Sequence, residues 1–306
     1  MPQKKYLPEG LFSKSLMASY INNPAGLEKA IETGAILEGV VTRCDSFHNL
    51  YCDVGPFKGI IRRSEATYDT VNKSKEIAVI SRVGKAVCFK VIDYQNGNYI
   101  LSRRAAMEEA MDYFLDNLIP GDILRGRVTH IEPFGVFVDI GCGNISLIGI
   151  ENISVSRIAS PFERFRNGQE ILCAVKYVDK ANRRITMTHK ELLGTWQENV
   201  SNFSVGETVR GIVRGIEDYG VFVELAPNLS GLAEYKEGVA VGQEVSVFIK
   251  SIIPEKMKVK LLIIDTIEQK KRKLISFDDY YIDGKRMDIF TYTPPECRSK
   301  NIETIF

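Results

Sequence analysis

The sequence contains aromatic pairs whose spacing suits the binding of flat ligands. Residues 134–139 read FGVFVD and residues 219–224 read YGVFVE, so two rings three positions apart precede a carboxylate in each copy. A stretched copy at residues 47–53 has one extra residue between Phe47 and Tyr51. Unpaired nucleobases can stack on neighbouring exposed rings, which stabilises a complex by ~1–3 kcal/mol per base. The alternative is that these rings pack in a hydrophobic core.

We expect the exposed arrangement because the pattern occurs twice and is partly kept a third time. In a regular strand Phe134 and Phe137 would face opposite sides. The glycine between them permits a turn or bulge, which breaks that alternation. Val136 and Val138 then enter the core, while Phe137 and Asp139 point outward near Phe134.

Catalytic chemistry has little support in the sequence. The three histidines, His48, His130 and His189, lie in no HExxH pattern, and neither GxSxG nor a phosphate-binding P-loop is present. The six cysteines form no CxxC pair and lack the spacing of metal ligands, which is typical of reduced thiols. Asp139 and Glu224 are expected on a barrel face rather than as acid–base partners. We therefore expect no enzyme, no metal and no cofactor.

A long internal repeat predicts the fold. The segment GAILEGVVT at 34–42 recurs as GDILRGRVT at 121–129 and as GETVRGIVR at 206–214, at offsets of 87 and 85 residues. Each copy begins a set of about five short apolar–polar segments, which fits a small closed antiparallel barrel. Residues 104–115 and, more weakly, 189–203 have helical apolar spacing. The prediction is a mainly β chain of three tandem five-stranded OB-fold barrels joined by short helical connectors.

The repeat also predicts the domain boundaries. They are an N-terminal extension (1–33), a first barrel (34–105), a helical connector (106–120), a second barrel (121–191), a connector (192–204), a third barrel (205–265) and a C-terminal tail (266–306).

The three units resemble the S1 RNA-binding domain family, the oligonucleotide-binding barrels repeated in ribosomal protein S1. The resemblance spans residues 34–265, and the middle unit matches best because it combines both repeat glycines with the FGVFVD motif. In the family, RNA lies over a face with two aromatic residues, a third-strand position and basic residues near the last strand. The resemblance implies these RNA-binding residues: Phe134, Phe137, His130, Arg184 and Lys190 in the middle unit, Tyr219 and Phe222 in the last, and Phe47, Tyr51 and Arg62 in the first.

The third-strand position departs from the family pattern. The family often has histidine there, whereas this sequence has Arg62, Gly149 and Glu234 in the three units. The resemblance is therefore weaker at this one position.

Charge differs between the units. The chain as a whole carries a net charge of +1, so no global positive field exists for a polyanion. Formal charge is +4 over residues 34–104, +2 over 121–191 and −2 over 205–265. Phosphate attraction is expected to fall along the chain, and the aromatic motif ranks the middle unit first for RNA contact.

These features together indicate a non-enzymatic binder of single-stranded RNA or mRNA, similar to ribosomal protein S1, that aids translation on the small ribosomal subunit. No apolar run reaches the ~18–20 residues of a membrane span, and the N-terminus lacks the apolar core of a signal peptide. We therefore expect a cytoplasmic protein with neither a membrane partner nor a small-molecule substrate. Two alternatives stay open: a ribosome-independent RNA-binding regulator, and a protein–protein adaptor built from S1-type barrels.

Overall fold

The computed structural model describes residues 5–12, 14–67, 75–267, 274–282 and 284–306. The remaining residues fall in three of the predicted units. Residues 1–4 and 13 belong to the N-terminal extension, 68–74 to the first barrel, and 268–273 and 283 to the tail.

The first unit is a closed barrel preceded by two helices. The helices are α1 (Lys14–Ile21) and α2 (Pro24–Thr33). The strands are β1 (Ile36–Cys44), β2 (Leu50–Val54), β3 (Phe57–Ile61), β4 (Ala86–Gln95) and β5 (Asn98–Ser102), and α3 (Lys75–Ile80) lies between β3 and β4. The strands pair in the order β1-β2-β3-β5-β4, and β4 closes the barrel onto β1.

The second and third units repeat this barrel. The second contains β6 (Ile123–Glu132), β7 (Gly135–Asp139), β8 (Ile145–Gly149), β9 (Glu170–Asp179) and β10 (Arg184–Thr188). The third contains β11 (Thr208–Glu217), β12 (Gly220–Ala226), β13 (Leu229–Ala233), β14 (Glu244–Ile253) and β15 (Lys258–Ile267). Helices α4 (Arg103–Asn117) and α5 (Trp196–Val200) connect the three barrels. The predicted fold class is confirmed, while the bounds of the seven predicted segments stay predictions.

One pairing in each barrel is parallel, which refines the expected antiparallel barrel. The parallel pairs are β3 with β5, β8 with β10, and β13 with β15. In the first barrel, β4 comes between β3 and β5 in the sequence, and it pairs antiparallel with both β5 and β1. The last strand consequently runs in the same direction as the third.

Glycine is required at the two repeated positions for different physical reasons. In the middle unit, Gly121 has φ +89°, a conformation that favours glycine. Gly126 lies within β6, and a Cβ there would be 2.3 Å from Cγ1 of Val138. The first glycine therefore permits a turn, and the second permits close packing inside the barrel.

The C-terminal tail packs on the second and third barrels. Its strands β16 (Ile289–Thr291) and β17 (Glu303–Ile305) form a two-stranded sheet. Phe290 and Tyr292 are buried in the same apolar cluster as Trp196 of α5. Upstream of this sheet, the Met287 amide donates to the Gly121 carbonyl over 3.0 Å. The described part of the tail is therefore packed against these two barrels.

In the described part of the chain, no helix has both the length and the apolarity needed to cross a membrane.

Candidate nucleic-acid interface

The aromatic pair of the central barrel lies at its surface. Phe134 is in the turn before β7, so it does not follow the strand alternation, and 57% of it is exposed. Phe137 is half-buried, and the two ring centroids are 6.1 Å apart with planes at 89°. Val136 and Val138 are fully buried, as expected. The pair therefore presents one ring edge-on to another beside solvent.

A continuous row of side chains crosses all five strands of the central barrel next to this pair. Residues directly opposite in a sheet point to the same face, and the register joins neighbours across each pairing. We call this set the central row; its members are His130, Phe137, Leu147, Thr186 and Tyr177. Every member is exposed or half-buried.

His130 stands at the start of the central row, where it was predicted. Its ring lies 6.2 Å from the Phe137 ring with planes at 27°, and its Nε2 is 2.7 Å from a carboxylate oxygen of Glu132. The His130 ring is therefore stacked next to that of Phe137, on the β6 side.

The predicted basic residues differ in their position. Arg184 is exposed on the face of β10 that also carries Thr186. Lys190 lies beyond the end of β10, and its Nζ is 3.4 Å from the carbonyl oxygen of Glu151. At the third-strand position, a Cβ on Gly149 would be 2.5 Å from Oε1 of Glu151. An acidic group therefore occupies the space where the family often has histidine.

The third barrel repeats the aromatic geometry. Tyr219 and Phe222 have ring centroids 6.0 Å apart with planes at 89°, and Tyr219 is 68% exposed. The register of this barrel places Lys260 opposite Leu232, which is itself opposite Phe222. Lys260 is exposed and was missed by the sequence reasoning, although its alternation with buried Val259 and Leu261 could have indicated it.

The first barrel presents its rings differently. Phe47 is 76% exposed. The Arg43 guanidinium lies 4.0 Å from the centroid of the Tyr51 ring, so one face of that ring is covered. Arg62 donates to the side-chain oxygen of Gln95 over 3.3 Å. The aromatic motif of this barrel therefore offers one open ring, Phe47, rather than an open pair.

Several cations of the first barrel pair with carboxylates, while the expected order of phosphate attraction stays a prediction. Arg103 is buried and pairs with Glu9 at 2.7 Å, and Arg104 pairs with Glu65 at 2.6 Å. Arg63 likewise pairs with the carboxylate of Glu76 at 2.9 Å. These cations hold segments together, and only the pair with Glu9, which lies outside residues 34–104, lowers the charge available to RNA below the +4 count.

The expectation that Asp139 and Glu224 lie on a barrel face is wrong. Asp139 is buried and accepts hydrogen bonds from the backbone amides of Glu9 (2.7 Å), Gly141 (2.8 Å) and Gly143 (3.1 Å). Burial, with the nearby Glu9 carboxylate, raises the pKa of Asp139 to about 7. This carboxylate holds an N-terminal segment against the central barrel rather than facing RNA.

Glu224 has the equivalent position and an equivalent role. Its two oxygens accept from Arg164 of the second barrel at 3.0 and 2.6 Å, and from Arg214 at 2.8 and 3.1 Å. We call Asp139 and Glu224 the anchor carboxylates, because each binds a segment that precedes its own barrel in the chain. The corresponding Asp53 of the first barrel is more exposed and pairs with Lys58 at 2.6 Å.

Among the described residues, no cluster of three or more histidine, cysteine, aspartate or glutamate side chains could hold a metal ion.

Comparison with known proteins gives the family. The model of the S1 RNA-binding domain matches residues 30–104 and 118–190, which span the first two barrels. Small ribosomal subunit protein bS1 of Staphylococcus haemolyticus is 30% identical over 271 residues, covering 83% of this chain and 67% of that protein. The chain belongs to the bS1 family of S1-domain proteins.

Other bS1 relatives match over a smaller share of their length. The bS1 protein of Staphylococcus aureus strain N315 is 29% identical over 259 residues, covering 79% of this chain and 64% of that protein. The chain therefore spans just under two thirds of the length of that relative.

A solved structure of a multidomain protein with nucleic acid binding domains from Streptococcus pneumoniae is also similar. It shares 15% sequence identity, covers 80% of this chain and 76% of that chain, and has a TM-score of 0.25.

Proposed function

We propose that this bS1 family member binds single-stranded RNA, including mRNA, and catalyses no reaction. One observation carries the proposal: the open aromatic pair of the central barrel recurs in the third barrel with nearly the same separation and the same ring angle. Rings held edge to face at a surface expose π faces, and bases of any identity can stack on them. Such binding tolerates sequence variation.

Phosphate contacts would come from cations beside the rings. Arg184 lies on the outer face of β10, two residues from Thr186 of the central row. Lys260 lies on the outer face of β15, opposite Leu232. Neutralising phosphates makes binding weaken as salt rises. Because two barrels carry open pairs on one chain, the second contact forms at a raised effective concentration.

The proposed setting is translation on the small ribosomal subunit, in the cytoplasm. Support comes from the relatives, which are named as proteins of that subunit. The adaptor alternative relied on the acidity of the third barrel. There, Glu224 is buried and pairs with Arg164 of the second barrel as well as with Arg214, so this carboxylate adds no negative charge to the surface. RNA binding is therefore the function we favour.

The first prediction concerns the central pair. The double variant Phe134→Ala/Phe137→Ala should weaken binding of a fluorescent oligo(U) by ~1–3 kcal/mol for each base that loses its stack. Fluorescence anisotropy at two salt concentrations measures this loss. Tyr94→Ala, a tyrosine 56% exposed on the first barrel, is the matched control and should bind as wild type. Normal oligo(U) binding by the folded double variant would refute the stacking assignment.

Ribosome association needs a separate measurement. We expect the chain to co-sediment with small ribosomal subunits at physiological salt. If it binds oligo(U) but stays in the supernatant, the ribosome-independent regulator replaces the translation role.

A further inference from the structure

We propose that Tyr177 is a third base-stacking position of the central barrel, and this inference rests on the proposed RNA binding. Tyr177 is the last member of the central row and is 59% exposed. Its ligand would be an unpaired nucleotide bound beyond the aromatic pair. It was not among the residues implied by the sequence.

A bulge in β9 turns this ring to the surface. Thr186 is opposite Tyr177, whereas the next residue, Met187, is opposite Val175, so Lys176 is an extra residue in the strand. A bulge of this kind changes the direction of the side chains that follow it. Val175 consequently faces the core, while Lys176 and Tyr177 are both exposed.

The ring lies too far from the aromatic pair to contact the same base. Along the central row, Leu147 and Thr186 separate Phe137 from Tyr177, which amounts to three strand spacings. At ~4.8 Å per spacing this is about 14 Å along the sheet. A base stacked on Tyr177 would therefore be an additional one.

The other two barrels keep the bulge but lack the ring. The first barrel skips Ile92 between Val91 and Asp93, and the third skips one residue between Ile249 and Ser251. Asp93 and Ser251 thus have the position of Tyr177. The bulge is a property of the barrel, whereas the aromatic side chain is specific to the central one, so this proposal singles out one barrel.

A cation lies where a neighbouring phosphate would be. Arg184 is opposite Asp179, two positions from Thr186 on the same face of β10 and diagonal to Tyr177. Diagonal neighbours in a sheet are within reach of long side chains. Asp179 accepts hydrogen bonds from the backbone and side-chain nitrogens of Asn182 at 3.0 and 2.8 Å. The arrangement gives a ring and an adjacent guanidinium, which suits one stacked nucleotide.

The test compares Tyr177→Ala with wild type on oligo(U) of increasing length. We expect about 5-fold or more weaker binding on long oligonucleotides, the change that the loss of one base stack gives. The loss should be absent on oligonucleotides short enough to occupy only the aromatic pair. Tyr177→Phe keeps the ring and should bind as wild type, and Tyr94→Ala again controls for an exposed tyrosine off the row.

The outcomes separate this inference from the proposed function. If Tyr177→Ala binds all lengths as wild type while Phe134→Ala/Phe137→Ala loses affinity, the third position is wrong and RNA binding stands. If wild type and both variants all fail to bind oligo(U), the proposed function and this inference fall together.

A fluorescent probe at the position gives a second readout. The only tryptophan of the sequence, Trp196, is buried at 2% exposure, so Tyr177→Trp adds a distinguishable surface fluorophore. We expect long oligo(U) to quench the added emission, because a base would stack on the new indole. Unchanged emission at saturating RNA would overturn the proposal.

Discussion

At Gly126 the central barrel leaves no space for a side chain. The nearest atom to a Cβ at this position would be Cγ1 of Val138, and the next would be the Cys173 sulfur at 3.3 Å. Both neighbours belong to strands that pair with β6. The repeated glycine therefore leaves room inside the barrel for the side chains of Val138 and Cys173.

Gly126→Ala should consequently destabilise the protein. Overpacking a well-filled interior costs about 1–3 kcal/mol, and urea unfolding monitored by circular dichroism measures the change. Gly284→Ala is the control, since a Cβ there has no atom within 4 Å. Equal unfolding midpoints for the two variants would contradict this explanation of the repeat.

Sequence patterns at this scale predicted that Phe134 and Tyr219 are exposed but not that Asp139 is buried. Alternation placed Val136 and Val138 correctly in the core. It could not show that Asp139 is covered by Glu9, because the two lie 130 residues apart in the chain. Tyr177 was missed for a related reason, since a bulge shifts the alternation of β9 and a sequence pattern does not reveal it.

At the scale of elements, a buried histidine joins the tail to the central barrel. His189 follows β10, and its Nδ1 lies 3.0 Å from the carbonyl oxygen of Ile153, to which it donates. Its Nε2 lies 3.1 Å from the Tyr280 hydroxyl of the tail, and that hydroxyl accepts from the Leu172 amide. Burial raises the pKa of Tyr280, so the phenol stays protonated and donates to a neutral imidazole.

This contact should make the stability of the protein depend on pH. Burial lowers the pKa of His189 from 6.5 to about 4, with a smaller contribution from Arg164. The folded state favours the neutral ring, so the stabilisation is complete above pH 6.5 and is lost as the pH falls towards 4. Between pH 7.5 and 5 the unfolding free energy should drop by about 2 kcal/mol from this group.

Urea unfolding at the two pH values checks the prediction. His189→Gln removes the titrating group and should reduce the pH-dependent loss by that amount. An identical pH dependence in wild type and His189→Gln would exclude this role.

At the scale of the whole molecule, buried ion pairs join the second and third barrels. Arg164 of the second barrel and Arg214 of the third meet on Glu224, and Arg214 also pairs with Glu163. In addition, the Asn228 side chain accepts from the Val155 amide at 2.9 Å. The second and third barrels are therefore joined by specific polar contacts rather than by α5 alone.

Removing the shared carboxylate should cost far more than removing its equivalent in the first barrel. Glu224→Ala leaves two buried guanidinium groups without this partner, a loss of ~3–5 kcal/mol. Asp53→Ala breaks an exposed pair, in which Asp53 is 43% and Lys58 68% exposed, and should cost ~0–1 kcal/mol. Urea unfolding of both variants measures the difference, and similar losses would mean that Glu224 does not join the barrels.

The repeat alone predicted three barrels and their order, because strand patterning is local. The packing between barrels was not predictable in the same way. The tail hydrogen-bonds to the backbone carbonyl of Gly121 and the backbone amide of Leu172, which precede it by more than one hundred residues. Any residue type at those two positions could offer the same carbonyl or, except proline, the same amide, so the sequence does not reveal these contacts.

The position of the central barrel between two chain ends has a practical consequence. Glu9, which pairs with Arg103, contacts it at Asp139, and Tyr280 contacts it at His189. An excised fragment of residues 121–191 would keep its aromatic pair yet lose all three of these neighbours. Asp139 and His189 would then meet water in place of their partners. Affinities measured on such a fragment would describe an altered molecule, so RNA titrations belong on the 306-residue chain.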